Sequence, residues 1–317
     1  MNARVFPTID ELEQVLFDHA YVTDRVLATV LFLTLKLRKP LLLEGEAGVG
    51  KTQVAKTLAE VLNTALIRLQ CYEGLDVSST IYEWNYSRQL LHIRMLEAQS
   101  CDITDDVERD LFGEEYLIKR PLLRAIELSE GGTPPVLLID ELDRADEEFE
   151  AFLLELLSDF QITIPEVGTL HAAEPPVVII TSNRTREIHD ALKRRCIYHW
   201  IDFPSLQKEY SIVTLKVPHA PHQMAHQLVE FVQELRRLDL YKLPGVAETL
   251  DWAEALVALD ARELSLPVVE DTLGLLLKYQ DDFDLVRRGH AQRLLDLARR
   301  QSMERLLEEC PAPATCD

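Results

Sequence analysis

The sequence predicts an α/β domain built on a parallel sheet of five strands, followed by an all-helical domain. Three observations support this fold class. Five short runs are apolar on both faces and alternate with helical segments, as in a parallel sheet covered by helices. A glycine-rich turn follows the first run, and beyond Pro204 the apolar residues recur only at helical spacing.

Apolar spacing and the positions of proline and glycine define the elements. Helical spacing covers residues 10–20 and 23–37, and Thr23 or Asp24 can cap the second helix. A further helix is expected from Thr52 to Leu62. The five strands are expected, in chain order, in "KPLLLEG", "ALIRLQ", "PPVLLID", "PPVVIITSN" and "CIYHWIDF". Roughly 65 residues separate the second and third runs, far more than one crossover needs, so an insertion is predicted there.

These elements predict a domain organisation. We expect an α/β domain over residues 1–204, with the insertion at about 72–118 and a β-hairpin at about 160–174. An all-helical domain over 205–300 and a flexible tail over 301–317 complete the chain. Within the insertion, Tyr82, Trp84 and Tyr86 can be ordinary core residues or contacts for a partner, and both interpretations stay open.

Composition excludes several classes of function. Lys plus Arg number 33 against 54 Asp plus Glu, a net charge of −21, which argues against nucleic acid and anionic membranes as main partners. The five cysteines form no CxxC pair. The N-terminus lacks the apolar stretch of a signal peptide, and the longest apolar-leaning run is 12 residues where a span needs about 18. We therefore expect a cytoplasmic protein without membrane insertion.

The stretch "GEAGVGKT" matches GxxxxGK[ST] between a predicted strand and a predicted helix, which is the context that such a phosphate-binding loop requires. Its glycines allow backbone N–H groups to turn toward a phosphate, and the helix N-terminus adds its dipole. Lys51 would reach the β- and γ-phosphates, and the Thr52 hydroxyl would ligate Mg²⁺. The predicted nucleotide-binding residues are Gly45, Glu46, Ala47, Gly48, Val49, Gly50, Lys51, Thr52 and Asp140.

Polar residues at the ends of two later strands complete the predicted site. In "VLLIDE" the strand ends at Asp140, which would hold Mg²⁺ with Thr52, and Glu141 would polarise the attacking water. Asn183, at the tip of the fourth strand, would hydrogen-bond that water or a γ-phosphate oxygen. No NKxD-type guanine motif is present, so ATP is favoured over GTP.

Two adjacent arginines, Arg194 and Arg195, precede the fifth strand. That position lies on the flank of the sheet, away from the γ-phosphate of the same chain. An arginine supplied to a neighbouring subunit stabilises transition-state charge there. We therefore predict that Arg195 acts in trans in a ring, with Arg194 as the alternative.

Together these motifs resemble the AAA+ ATPases. The stretch "LIDELDRADEEFEAFLLELLSDFQITIP" is similar to the MoxR family, in which the acidic Walker B motif leads through an Arg-Ala pair into an amphipathic helix and a β-hairpin. The resemblance implies Walker A roles for Lys51 and Thr52, Walker B roles for Asp140 and Glu141, a sensor-1 role for Asn183 and a finger role for Arg195. Arg144 matches the arginine after Walker B.

The resemblance covers residues 20 to about 205 well and the helical region loosely. Where the family carries a sensor-2 arginine, this sequence has "LPGVAETLDWAEAL" without one, and Arg236, Arg237 or Lys242 would have to replace it. This stretch and "IYEWNYSRQLLHIR" look most like the branch that matures carbon monoxide dehydrogenase (the CoxD type); sister branches activate nitric oxide reductase or Rubisco.

What the resemblance implies is a hexameric Mg-ATP-hydrolysing chaperone that activates a metalloenzyme, in particular the molybdenum-copper cofactor of carbon monoxide dehydrogenase. Its partners would be a von Willebrand factor A-domain protein and the target enzyme. Two other functions remain open: a nucleotide-gated scaffold with little hydrolysis, and a nucleic-acid motor, which the acidic composition disfavours.

Overall fold

The computed structural model describes residues 6–98, 111, 113–130, 134–164 and 168–309. Backbone proximity divides them into two compact units. The first comprises the described residues of 1–19, 23–45 and 51–200, and the second those of 20–22, 46–50 and 201–317. No helix in this part of the chain is long and apolar enough to cross a membrane.

Nine strands are present among the described residues. In chain order they are β1 (Leu41–Gly45), β2 (Leu66–Gln70), β3 (Tyr82–Trp84), β4 (Leu117–Lys119), β5 (Val136–Asp140), β6 (Gln161–Ile164), β7 (Gly168–His171), β8 (Val177–Ser182) and β9 (Ile197–Ile201). Five of them form the central sheet, in the order β2-β5-β8-β1-β9. The pairs β2–β5, β5–β8 and β1–β8 are parallel. The sequence therefore predicted the fold class and the five strands correctly.

Strand burial explains the sheet order. Strands β1 and β5 are buried at every position, as expected of central strands covered on both faces. Strand β2 lies at the sheet edge and alternates, with Ile67 and Leu69 buried and Arg68 exposed. The register places Gln70 of β2 opposite Asp140 of β5. Polar residues at the carboxyl ends of these strands therefore share one edge of the sheet.

Helices α1 to α8 belong to the first unit, and side-chain caps start several of them. Thr8, Asp24 and Asp146 each accept a hydrogen bond from a backbone N–H of the following turn. Asp24, rather than Thr23, therefore caps the second helix. The helices are α1 (Ile9–Asp18), α2 (Arg25–Leu37), α3 (Lys51–Leu62), α4 (Val77–Ile81), α5 (Tyr86–Ala98), α6 (Pro121–Glu130), α7 (Glu147–Asp159) and α8 (Asp190–Lys193).

The predicted insertion and hairpin are also present. Strands β3 and β4 pair antiparallel between α4 and α6, and β6 and β7 form an antiparallel hairpin. Part of the predicted turn, residues 166 and 167, lies outside the described residues. Trp84 is buried in the core of the first unit and Tyr82 packs against that core, whereas Tyr86 is 67% exposed. Trp84 and Tyr82 are therefore core residues, and a partner contact stays a prediction for Tyr86.

The described part of the second unit beyond β9 is helical. The Phe231 and Trp252 rings pack in its core with their centroids 5.3 Å apart and their planes tilted by 53°, and the Trp252 indole N–H donates to Thr272 Oγ1 at 2.8 Å. A single π-turn, Val286–His290, precedes the last helix. The helices are α9 (Leu206–Lys216), α10 (His222–Leu235), α11 (Val246–Ala258), α12 (Leu266–Leu276), α13 (Gln280–Leu285) and α14 (Ala291–Glu309).

The prediction of a flexible tail from residue 301 was wrong for residues 301–309, because α14 continues to Glu309. Two contacts hold this extension to the unit. Ser302 is buried, and Arg305 Nε donates to Glu230 Oε1 at 2.7 Å. Residues 310–317 lie outside the described part of the chain.

Candidate functional site

The glycine-rich loop joins the end of β1 to the start of α3. Lys51 is the first residue of α3; its side chain is buried and its Nζ donates to the carbonyl of Gly45 at 2.7 Å. Gly48 and Gly50 have φ values of 79° and 98°, which residues with a side chain rarely adopt. Backbone N–H groups of such a loop can therefore face an anion, with the lysine beside them.

Within the second unit, the loop segment 46–50 packs closely against the start of α11. Ala247 N donates to the carbonyl of Gly48 at 3.2 Å. A Cβ on Gly245 would lie 2.8 Å from both Ala47 O and Gly48 Cα, so only glycine fits at this position. Glu248 Oε2 accepts from the Gly245 N–H at 2.9 Å and closes the first turn of the helix.

Asp140 ends β5 and lies beside Thr52 of α3. The Thr52 hydroxyl is 3.1 Å from Asp140 Oδ1 and 3.4 Å from Oδ2, and Thr181 of β8 donates to Oδ1 at 2.5 Å. Asp140 itself is buried. The predicted metal-binding pair, Thr52 and Asp140, is thus brought together by the fold although 88 residues separate the two in sequence.

Arg68 of β2 forms an ion pair with Asp140. Its Nε and Nη2 lie 2.9 Å and 2.6 Å from Asp140 Oδ2. The guanidinium also donates to Gln70 Oε1. The two strands are neighbours in the sheet, which places this cation on the same carboxylate that the sequence assigns to Mg²⁺.

Glu141, which was predicted to polarise the attacking water, follows Asp140 in a left-handed conformation with φ 57° and ψ 50°. Non-glycine residues adopt this conformation uncommonly. Its N–H donates to Thr181 Oγ1 at 2.9 Å. Its carboxylate accepts from Gln70 Nε2 at 3.1 Å and pairs with Arg144 Nε at 2.9 Å. Arg144, the arginine that follows the Walker B residues, thus forms an ion pair with Glu141.

Asp143 fixes the loop that carries Asn183. The Asn183 N–H donates to Asp143 Oδ1 at 3.1 Å, and Thr185 donates to Oδ2 from its N–H at 2.9 Å and from its hydroxyl at 2.6 Å. Burial acts to raise the pKa of Asp143, but these hydrogen bonds outweigh it and hold the pKa below its ordinary value. Asn183 is therefore tied to the turn that follows Glu141.

The acidic character of this sheet edge is reflected in Cys71, which directly follows β2. Burial, with a smaller contribution from the negative charges of Asp140, Asp143 and Glu141, raises the pKa of its thiol to about 12. The Cys71 N–H donates to the carbonyl of Asp140 at 2.9 Å. Three carboxylates thus lie at one end of β5.

Arg194 and Arg195 lie at the other end of the sheet. The N–H of Ile197, the first residue of β9, donates to the carbonyl of Pro40 at 2.8 Å, so the arginines flank the amino end of β1. Both are exposed, and Arg195 Nη1 donates to the carbonyl of Leu154 in α7. Within one chain the fold does not bring them to Asp140. Their predicted role in a neighbouring subunit stays a prediction.

Two of the arginines considered as replacements for a sensor-2 residue form ion pairs inside the helical unit. Arg236 is paired with Glu209 through both Nη atoms, at 2.7 Å each, and its Nε donates to the Pro244 carbonyl. Arg237 pairs with Glu234. The guanidinium of Arg236 is consequently a buried structural group.

Sequence reasoning missed four site residues: Arg68, Gln70, Asp143 and Thr181. A partial signal existed for each. Arg68 and Gln70 alternate with apolar residues in "IRLQ", and Thr181 and Asp143 lie two residues from a predicted site residue. Strand order could not be deduced from that alternation, so their contacts could not be predicted.

The donors at this site fit a magnesium ion. Mg²⁺ takes oxygen ligands, and in nucleotide sites it binds through one or two protein oxygens together with phosphate oxygens. Thr52 and Asp140 supply such a pair at 3.1 Å. Among the described residues no cluster of three or more His, Cys, Asp or Glu side chains suited to a metal occurs. This donor set suits a cation that arrives with a nucleotide.

The strand order, the loop after β1 and the acidic end of β5 define a P-loop nucleotide-binding domain. Residues 40–196 match the AAA domain of the dynein-related subfamily, so the chain carries an AAA domain. This match spans β1 to the residue before β9, and therefore includes the phosphate loop, Asp140, Glu141 and Asn183.

The chain is also similar to several individual proteins. A denitrification regulatory protein, NirQ of Stutzerimonas stutzeri, is 25% identical over 66% of this chain and 68% of its own length. An uncharacterised protein of Staphylococcus epidermidis is 24% identical over 74% of this chain and 81% of its own length. Among solved structures, a mutant RuvB from Thermotoga maritima aligns with 88% of this chain and 74% of its own, at 18% identity and a TM-score of 0.48.

Proposed function

We propose that this protein hydrolyses ATP with Mg²⁺ and uses the energy to remodel another protein. The approach of Thr52 to Asp140 carries the proposal, since it unites the phosphate loop and the acidic strand end. Lys51 and the loop backbone would hold the phosphates, and Thr52 and Asp140 would hold the metal. When bound, Mg²⁺ would neutralise charge on the phosphate oxygens.

Glu141 and Asn183 would act on the attacking water. Glu141 is half-buried, and its left-handed backbone and the Thr181 hydrogen bond fix where its side chain starts. Asn183 is held through Asp143 to the same turn. A carboxylate can polarise the water while an amide orients it, which requires the two residues to be positioned together.

ATP turnover and ATP binding in three variants test this function. Glu141→Gln should retain ATP binding and lose turnover by about 10²-fold or more, because the amide cannot accept the proton of the water. Lys51→Ala should weaken binding itself. Glu147→Gln, an exposed acid at the start of α7, is the matched control and should be unchanged. Wild-type turnover in Glu141→Gln would contradict the assignment.

We propose further that the protein works as a ring, for which a hexamer is the expected form, with Arg195 supplied to the neighbouring subunit. The exposed position of Arg195 at the flank of the sheet supports this. Arg195→Ala should bind ATP but hydrolyse it poorly, and Arg194→Ala should lose less. Mixing Arg195→Ala with Glu141→Gln should restore turnover above the sum of the two. Mixed rings without such restoration would exclude action in trans.

The biological role that we propose is activation of a metalloenzyme, with maturation of the molybdenum-copper cofactor of carbon monoxide dehydrogenase as the first candidate. A von Willebrand factor A-domain protein would link the ATPase to its target. The name of the relative NirQ, a denitrification regulatory protein, favours a sister branch that acts on nitric oxide reductase, and Rubisco is a third candidate target. Turnover with each unactivated enzyme added distinguishes them: the true target should stimulate ATP hydrolysis.

A nucleotide-gated scaffold with little hydrolysis is the alternative that the helical unit favours, because Arg236 is engaged there with Glu209. It predicts tight ATP binding and an ATP-dependent assembly with turnover no faster than that of Glu141→Gln. Turnover of the wild type well above that variant would exclude it. Turnover stimulated by DNA would instead support a nucleic-acid motor.

A further inference from the structure

Arg68 is a cation in direct contact with Asp140. Two of its nitrogens contact one oxygen of the carboxylate, Oδ2, at 2.9 Å and 2.6 Å. The other oxygen, Oδ1, accepts from the hydroxyls of Thr52 and Thr181. A magnesium ion at Asp140 would require Oδ1 or Oδ2, and both oxygens already accept hydrogen bonds. The protein's own contacts therefore occupy the carboxylate that the metal would need, whereas the Thr52 hydroxyl donates its proton and keeps its lone pairs.

Asp140 needs such a partner because its side chain is only 3% exposed. A buried carboxylate is costly unless it is paired and hydrogen-bonded, and two neutral hydroxyls leave its charge uncompensated. The Arg68 guanidinium supplies that charge through charge-assisted hydrogen bonds. Arg68 thus neutralises Asp140 at the end of β5.

Arg68 can also leave at small cost. It lies on β2, the edge strand of the sheet, and its side chain is 50% exposed. A guanidinium in that position stays largely hydrated, so moving it into solvent forfeits mainly the contact with Asp140. A divalent cation held by Asp140, Thr52 and phosphate oxygens would replace that contact with a higher charge at shorter distance.

We propose that Arg68 is a resident cation of the metal site, which holds Asp140 in the metal-free protein and is displaced by Mg²⁺. Arg68 is thereby a positioning residue that sets the metal affinity of the site. The proposal rests on the proposed function for the identity of the metal and for the nucleotide that accompanies it. Mg²⁺ then binds Asp140 as Arg68 leaves it, so that one cation replaces the other.

Metal binding tests the exchange without reference to turnover. Mn²⁺, which gives an electron paramagnetic resonance signal when free, serves as the probe in place of Mg²⁺. Titrations of the full chain are made without nucleotide and with ADP, for the wild type, Arg68→Ala and Arg68→Lys. Arg120→Ala is the matched control, because Arg120 is a part-exposed arginine of the same unit paired with Glu83.

Arg68→Ala should bind Mn²⁺ roughly tenfold more tightly than the wild type, since the metal no longer displaces a charge-assisted contact. Arg68→Lys keeps the charge and should stay close to the wild type, which a purely steric role of the side chain would not produce. Arg120→Ala should match the wild type. Circular dichroism on each variant confirms that the fold is retained.

Equal or weaker Mn²⁺ binding by Arg68→Ala than by the wild type would overturn the proposal, because Arg68 would then support the site rather than compete for it. Binding by no variant in either condition would overturn it as well. A different result bears on the proposed function: if ADP does not alter Mn²⁺ binding in the wild type, the nucleotide site is wrong. The comparison without nucleotide still decides the role of Arg68.

Discussion

Each unit of the protein contains a buried carboxylate paired with an arginine, and the two pairs differ in how completely they are enclosed. In the α/β unit, Arg68 is 50% exposed and contacts one oxygen of Asp140. In the helical unit, Arg236 is 6% exposed and contacts both oxygens of Glu209, which is fully buried. The arginine fork matches the carboxylate only in the second pair.

The surroundings of the second pair are also more enclosed than those of the first. Glu209 also accepts from Gln233 and Thr249, and Arg236 donates to the Pro244 carbonyl and lies over the Phe203 ring. Both charged groups of that network, Arg236 and Glu209, thus have their hydrogen-bond partners within the helical unit. At Asp140 the arginine stands at a sheet edge that is open to solvent. An enclosed pair suits a fixed framework, whereas an open pair suits exchange with a ligand.

Removal of Arg236 should have the largest effect on stability. Arg236→Ala leaves Glu209 buried without its counter-charge, which typically costs about 3–5 kcal/mol of unfolding free energy. Arg237→Ala is the matched control: its guanidinium is 73% exposed and pairs with Glu234, so a loss of about 1 kcal/mol or less is expected. Denaturant unfolding measures both. Similar losses in the two variants would show that the Arg236 network is not a framework.

Gly245→Ala probes the close packing of the helical unit and should cost about 1–3 kcal/mol, as overpacking usually does. The new Cβ would meet backbone atoms of Ala47 and Gly48 at 2.8 Å, and backbone cannot move aside as a side chain can. The control is Gly274→Ala in α12, where the nearest atom is Phe283 Cζ at 3.7 Å. That variant should be neutral or stabilising. Thermal unfolding compares them, and a harmless Gly245→Ala would mean that the contact is loose.

Asp143→Asn removes the charge that accepts hydrogen bonds from Asn183 and Thr185. We expect it to lose about 1–2 kcal/mol of unfolding free energy at neutral pH, because hydrogen bonds to a neutral acceptor are weaker than those to a charged one. The folded pKa of Asp143 lies below its unfolded value of about 3.9. Its contribution is therefore complete at neutral pH and disappears as the pH falls through about 4 toward the folded pKa. Unfolding free energies of both proteins between pH 7 and 3 should converge. A constant difference would rule out this role of the charge.

Arg68→Ala should have the smallest effect on stability, about 1 kcal/mol or less in metal-free buffer, since half of the arginine is already in water. Denaturant unfolding of this variant beside Arg236→Ala is the direct comparison of the two pairs. A loss as large as that of Arg236→Ala would contradict the distinction between an open and an enclosed pair.

Local chemistry was enough to predict several parts of the protein from sequence. The loop from Gly45 to Thr52 depends on glycines at left-handed positions and on a helix start, and both are encoded within eight residues. The short apolar run in "PPVLLID" predicted the strand that ends at Asp140, which is buried at every position.

Tertiary structure alone decided which residues surround these groups. Strand β2 pairs with β5 although it follows β1 in the chain, and this order brings Arg68 and Gln70 to the acidic edge. The burial of Arg236 likewise depends on Glu209, 27 residues away. Strand order, register and helix packing depend on the combined burial of many residues that are distant in sequence. A local sequence pattern does not contain this information.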